Sequence, residues 1–254
     1  MQTGRDKLTF LQRLRTREAA PTWALRTAFF FVIAYVAIWI LSVTIVATLR
    51  GEINGQISAD SYLLTLGLSS LVAATSVIVW ARRRFAEQWF AAYKLVAVRG
   101  GSFVLTLLIG LGAAWALDLF GGTVQIKRLL EIPTVYNGLL EVISVTWVIG
   151  AISVLLIQPI AETLIFSGML YPATTARTGD NIPAIIGTAL VYMLVNVFLA
   201  VQQDMWFVVV QPVLMMLFIV GVRAYTKSTL LAIVARIGFG LFIILVAIIR
   251  PAIG

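Results

Sequence analysis

Seven apolar runs, each close to or longer than the ~20 residues that cross a hydrocarbon core, leave this chain very few folds to choose from. They are roughly Trp23 to Leu49, Tyr62 to Ala81, Leu95 to Phe120, Gly138 to Tyr171, Ala184 to Val201, Trp206 to Tyr225 and Thr229 to Ile249. A bilayer offers no water to the backbone, so each run must satisfy its own amides and carbonyls as a helix. At 61% hydrophobic residues over 254 positions, the chain is too apolar for a water-soluble domain. The expected fold class is all-α, a polytopic transmembrane helical bundle of about seven spans with interfacial helices at the N-terminus and in one loop. Residues 1–22 read as a cytoplasmic basic amphipathic segment and 23–254 as one transmembrane domain.

The formal charge of +8 raises nucleic acid as a partner, but the placement of the cations argues against it. With the N-terminus inside, Arg5, Lys7, Arg13, Arg15, Arg17, Arg26, Arg82, Arg83, Arg84, Lys94, Arg99, Arg177, Arg223 and Lys227 fall on the cytoplasmic side. Arg50, Lys127, Arg128 and Arg250 fall outside, and Arg236 lies within a span. Such a bias is an orientation signal, and it implies a lipid bilayer with an anionic cytoplasmic leaflet as the charge partner. Between Arg82 and Arg99 the basic residues alternate with Phe85, Trp89, Phe90 and Tyr93, which suits an interfacial helix with rings at headgroup depth. In the N-terminal segment Leu8, Phe10, Leu11 and Leu14 recur at spacings of three and four or close to it. That pattern fits a helix lying on the leaflet, and the composition fits equally a solvated tail that only fixes orientation. No cleavable signal peptide is legible, because the first long apolar run begins only after Pro21.

With no cysteine and no histidine, thiol nucleophiles, thiolate metal sites, imidazole bases and disulfides are all excluded. Gly110-Leu-Gly112 is too short for a nucleotide fingerprint and lacks its strand context, so close helix packing is the expectation there. The chemistry that remains centres on Gln158-Pro-Ile-Ala-Glu-Thr-Leu-Ile-Phe-Ser-Gly-Met-Leu-Tyr-Pro172, which puts Glu162 in an apolar run. An ionised side chain near the bilayer centre costs roughly 2.5–3.5 kcal/mol on insertion scales, so Glu162 is expected to face the protein interior. Pro159 removes a backbone donor and is expected to kink the helix that carries it.

The order of residues in that segment resembles the signature of the CPBP intramembrane proteases, the CAAX prenyl endopeptidases and bacteriocin-processing proteins. Their pattern is Pro-x-Ala-Glu-Glu-x-x-Phe-Arg-Gly. Pro159, Ala161, Glu162, Phe166, Gly168 and Tyr171-Pro172 fit it, whereas Thr163 stands for the second Glu and Ser167 for the Arg. The resemblance covers about 138–240. In the next helix Tyr192-Met-Leu-Val-Asn196 stands where the family has an aromatic and then a histidine. Further on, Thr226, Ser228 and Ile233 fit a second motif in which His has become Arg236 and Asn has become Gly240.

The resemblance implies an active site in which Glu, two His and Asn converge on an activated water, directly or through a bound metal. Of that set only Glu162 is present, so Glu162, Asn196 and Arg236 form a degenerate site, and neither a catalytic residue nor a metal or other cofactor is expected. Two arrangements remain open on the residues alone. Glu162 and Arg236 could each reach an interface separately, or they could form a buried, hydrogen-bonded ion pair with the Asn196 amide close by. The function expected is that of a catalytically inactive CPBP-like protein, a scaffold, assembly or binding partner for another membrane protein, in a prokaryotic cell membrane. The alternatives are residual Glu162-dependent endopeptidase activity, and a bacteriocin-immunity or transport role with Glu162 and Arg236 lining a polar pathway.

The charge asymmetry generates a direct test. Reporter fusions after Gly254 and within 121–137 should both report the non-cytoplasmic side, and a cytoplasmic signal at both would overturn the orientation.

Overall fold

The structure, a computed structural model, describes residues 12, 14, 16, 20–52, 57–95, 99–123, 145–199 and 206–253. Among these the regular structure is helical. The helices are α1 (Leu25–Arg50), α2 (Ala59–Phe85), the four-residue α3 (Trp89–Ala92), α4 (Gly100–Thr123), α5 (residues 145–178), α6 (Asn181–Leu199), α7 (Gln211–Thr226, entered through a wider turn Trp206–Val210) and α8 (Thr229–Ile253). Seven stretches are long and apolar enough to cross a membrane: Leu25–Arg50, Asp60–Ala92, Gly100–Gly121, Val148–Thr178, Asn181–Leu199, Val208–Thr226 and Thr229–Val246. The chain is an integral membrane protein built as a polytopic helical bundle.

Several boundaries differ from the sequence expectation, for physical reasons. α2 does not stop at Ala81. It continues through Arg82, Arg83 and Arg84 to Phe85, because exposed cations in a last turn are compatible with the negative end of the helix dipole. The expected interfacial helix after it is reduced to a 3₁₀ turn, Ala86–Gln88, and the single turn α3. α5 runs to Thr178 instead of ending at Tyr171, with Gly179 at φ 78° closing it. Arg223, counted with the cytoplasmic cations, lies inside α7 as the sixth run implies, where it is 1% exposed and its Nε donates to Thr229 Oγ1 at 2.9 Å. The polar interruption around Lys127 to Pro133 and the break at Gln202 to Asp204 lie outside the described residues.

Most of the N-terminal segment does too. Where it is described, it sits on the protein: Asn181 Nδ2 donates to the carbonyls of Leu14 and Thr16 at 2.6 and 3.1 Å, and Lys227 Nζ donates to Thr16 O at 2.6 Å.

Local chemistry explains how the elements begin and end. Gly51 at φ 71° closes α1: its amide bonds Thr48 O and the Glu52 amide bonds Ala47 O, the paired bonds of a Schellman motif. Ser58 caps α2 by accepting from the Ser61 amide. Glu52 binds this corner, accepting from the Ser58 amide, the Ser58 hydroxyl and the Ser61 hydroxyl, and the two Ser58 bonds hold its carboxyl below the usual range. Ser58 and Glu52 thus join the two helices at the end of the bundle opposite Arg82.

Proline is accommodated in one recurring way. Wider π turns at Ser153–Ile157, Thr163–Leu170 and Trp206–Val210 each end two residues before a proline, namely Pro159, Pro172 and Pro212. A proline ring clashes with the carbonyl four residues back, and an i→i+5 turn moves that carbonyl aside. The helix around Pro159 therefore continues through it. This local widening sits where the sequence expectation places the effect of Pro159.

The middle of α5 is the centre of the bundle. All eight residues of Thr163–Leu170 are buried, and they pack against α1, α2, α6, α7 and α8. A helical segment apolar and buried all round belongs in a core. The most extensive pairing is between α4 and α8, and glycine makes it possible. A Cβ at Gly110 would collide with the Ala235 carbonyl, and one at Gly238 with the Leu107 carbonyl. Of the two glycines in Gly110-Leu-Gly112, Gly110 is thus the packing residue, whereas Gly112 faces open space.

That contrast is measurable by thermal unfolding in detergent. Gly110→Ala and Gly238→Ala should each destabilise by about 1–3 kcal/mol through overpacking. Gly112→Ala should be neutral or gain up to about 1 kcal/mol from helix propensity.

Candidate functional site

Glu162 is only 3% exposed, and both carboxylate oxygens are engaged. Oε2 accepts from Arg236 Nη2 at 3.1 Å and Arg236 Nε at 3.3 Å, and from the Tyr192 hydroxyl at 2.9 Å. Oε1 accepts from Gln158 Nε2 at 2.7 Å and the Tyr35 hydroxyl at 3.4 Å. The guanidinium meets the carboxylate edge-on through a single oxygen, which it shares with Tyr192, leaving the other to Gln158 and Tyr35. Arg236 is itself 5% exposed, with its guanidinium carbon 5.8 Å from the Phe239 ring. Charge-assisted bonds of this kind are the strong ones, and both charges need them at this depth.

Four helices supply the donors. Gln158 lies one turn before Glu162 on α5, the i, i+4 spacing that puts two side chains on one face. Tyr35 comes from α1, Tyr192 from α6 and Arg236 from α8. Phe166, one turn after Glu162, orients the phenols: its ring packs edge-on to Tyr35 at 6.3 Å and to Tyr192 at 4.9 Å. The aromatic of the Pro-x-Ala-Glu segment therefore serves as a wedge that aims two hydroxyls at one carboxylate.

Of the three sequence-derived candidates, the structure brings Glu162 and Arg236 into contact and sets Asn196 one step away. The Asn196 amide donates to the Tyr192 carbonyl at 2.8 Å, one turn back on α6. The hydroxyl that reaches Glu162 is that of Tyr192, which the sequence reading used only as the aromatic landmark of its motif. Gln158 was detectable from helical spacing alone. Tyr35 carried no comparable signal, being one phenol in a long apolar span, although a mid-membrane hydroxyl does require a partner.

The remaining motif positions are closed in different ways. Thr163 and Ser167, which stand for the family's second Glu and Arg, are buried, and their hydroxyls have no hydrogen-bond partner among the described residues. They lie one turn apart, so two small neutral groups stand where the family pattern has an acid and a base. Gly240, in the place of the family's Asn, lies so near α5 that a Cβ there would be 2.9 Å from the Val154 carbonyl. A longer side chain would require α8 to move. Gly168, by contrast, fills its motif role: a Cβ would meet Tyr93 Cδ1 at 3.2 Å and Thr229 Cγ2 at 3.4 Å.

The residues present do not fit a metal. Every group that reaches Glu162 offers a hydrogen, and the guanidinium already neutralises the carboxylate and would repel a dication. The carboxylate is also crowded by donors. It has about four lone-pair directions, and Gln158, Tyr35, Tyr192 and the two Arg236 nitrogens compete for all of them.

The energetic consequence is asymmetric and can be read as a double-mutant cycle in detergent. Glu162→Gln and Arg236→Met should each destabilise by roughly 3–5 kcal/mol, because each strands a buried charge, whereas the double variant should lose much less. Tyr35→Phe, which removes only a long neutral bond, should lose about 1 kcal/mol or less. Additive effects of Glu162→Gln and Arg236→Met would show that the two charges are not coupled.

Residues 144–242 match the family described as Type II CAAX prenyl endopeptidase Rce1-like. The matched stretch runs from the start of α5 into α8 and holds Glu162, Tyr192, Asn196 and Arg236, but not Tyr35. Among curated proteins and solved structures, none matches the chain. This match, together with the motif residues that the fold gathers around Glu162, supports the CPBP/CAAX protease family for the segment 144–242.

Proposed function

We propose that this CAAX-protease-family protein no longer hydrolyses peptides and acts as a scaffold, assembly or binding partner for another membrane component. The observation that carries the reading is the saturation of Glu162. A general base needs a free lone pair within reach of the attacking water, and here five donor nitrogens and oxygens lie within 3.4 Å of the two carboxylate oxygens. The close approach of Gly240 to α5 supports it independently, since it leaves no room for the family's Asn.

In this reading the former hydrolytic centre has become a bolt through the bundle. It holds α1, α5, α6 and α8 in one arrangement and so presents a fixed outer surface to a partner. The protein sits in a prokaryotic cell membrane with its N-terminus cytoplasmic, an orientation supported by the Lys and Arg asymmetry and by the exposed triplet Arg82, Arg83 and Arg84 at the end of α2.

Two measurements on protein purified in mild detergent test the proposal. A stoichiometric membrane-protein partner should co-purify, and cleavage of prenylated or bacteriocin-leader peptides should not exceed the background of Glu162→Gln. Peptide hydrolysis that Glu162→Gln abolishes would overturn the reading in favour of an active endopeptidase.

A further inference from the structure

The stretch from Arg82 to Lys94 is held in a conformation its sequence does not favour. Ala86 lies at φ 47° and Lys94 at φ 54°, in left-handed space where a Cβ is disfavoured. Strain of this kind persists only where surrounding contacts impose it. Here the contacts are explicit. Phe85 packs against Trp23 and Trp80 with ring centroids at 5.9 and 5.6 Å. Tyr93 stacks on Trp23 at 5.2 Å, and Trp23 Nε1 donates to the Met169 carbonyl at 3.1 Å, which ties the group to the core of α5. At the other end the Thr229 amide donates to Lys94 O at 3.1 Å, so the start of α8 fastens the segment.

Between these fixed ends the chain faces outward. Arg82, Arg83 and Arg84 are exposed, and Glu87 is the one acid between Arg82 and Tyr93. Phe90 is 52% exposed and packs with the half-buried Trp89 at 4.0 Å between ring centroids. The Arg82 guanidinium carbon lies 5.5 Å from the Trp89 ring centre. A guanidinium resting on an indole beside an exposed phenyl ring, at the end of a membrane span, matches an anion joined to an apolar chain.

We infer that this segment is a preorganised docking site for an anionic phospholipid. The lipid phosphate pairs with Arg82 above Trp89, an acyl chain lies against Trp89 and Phe90, and Arg83 and Arg84 raise the local concentration of anions. The inference rests on the cytoplasmic placement proposed above, because that leaflet carries the anionic lipid.

Lipid binding to the purified full chain in mild detergent, followed by thermal stabilisation, tests it. Phosphatidylglycerol should stabilise the protein at concentrations where phosphatidylcholine and inorganic phosphate do not. Arg82→Gln, at an exposed position, and Trp89→Leu should each weaken the phosphatidylglycerol effect roughly tenfold, as expected for loss of a headgroup-facing cation or its ring, while Arg50→Gln at the opposite end should leave it unchanged. Equal stabilisation by phosphatidylcholine, competition by inorganic phosphate, or an unchanged response in Arg82→Gln would each overturn the site. The assay does not depend on cellular orientation, so a reversed topology in reporter fusions would sink that orientation and leave this result standing.

Discussion

A carboxylate buried near the middle of a membrane-spanning helix sets the terms for the packing around it. Glu162 cannot be hydrated where it sits, and an isolated charge there would cost several kcal/mol. The bundle answers with one cation and three neutral donors drawn from four helices. Each of those helices is consequently fixed in depth and rotation by its side chain on Glu162. The same demand explains why a guanidinium occupies a position that the family pattern gives to histidine. A neutral imidazole could not compensate an ionised carboxylate at this depth, whereas arginine is always charged.

The spans were legible in the sequence because the bilayer makes length and apolarity nearly decisive. Their ends were less so. Arg82, Arg83 and Arg84 look like a stop but lie inside the last turn of a continuing helix, and Arg177 lies in the last turn of a helix that outruns its hydrophobic stretch. The π turns before Pro159, Pro172 and Pro212 could not be read at all, since no residue type favours them by itself. They arise where a proline must be tolerated inside a helix that continues past it.

The site was legible in part. The family resemblance put Glu162 and Arg236 in one candidate site, because family patterns record which turns of which helices meet, but left open whether the two charges pair. It did not reveal that Tyr192 would bond in place of Asn196, because that depends on side-chain reach: a phenol on the same face extends several ångströms further than a carboxamide. Tyr35 lay beyond any local signal, being on a helix outside the matched segment.

Tyr35 and Gly110 together bear on inheritance. The family-matched residues 144–242 include the carboxylate and its cation, yet α1 supplies one of the donors, and α4 seats against the carbonyl of Ala235, the residue just before Arg236. The angle at which the arginine enters the site is therefore governed by a helix with no counterpart in that segment. Such a segment is not a cassette that can be transplanted between relatives. A swap of 144–242 that kept every motif residue but met a different α1 and α4 would lose the Tyr35 bond and the seat of α4 on Ala235, and with them the aim of the arginine.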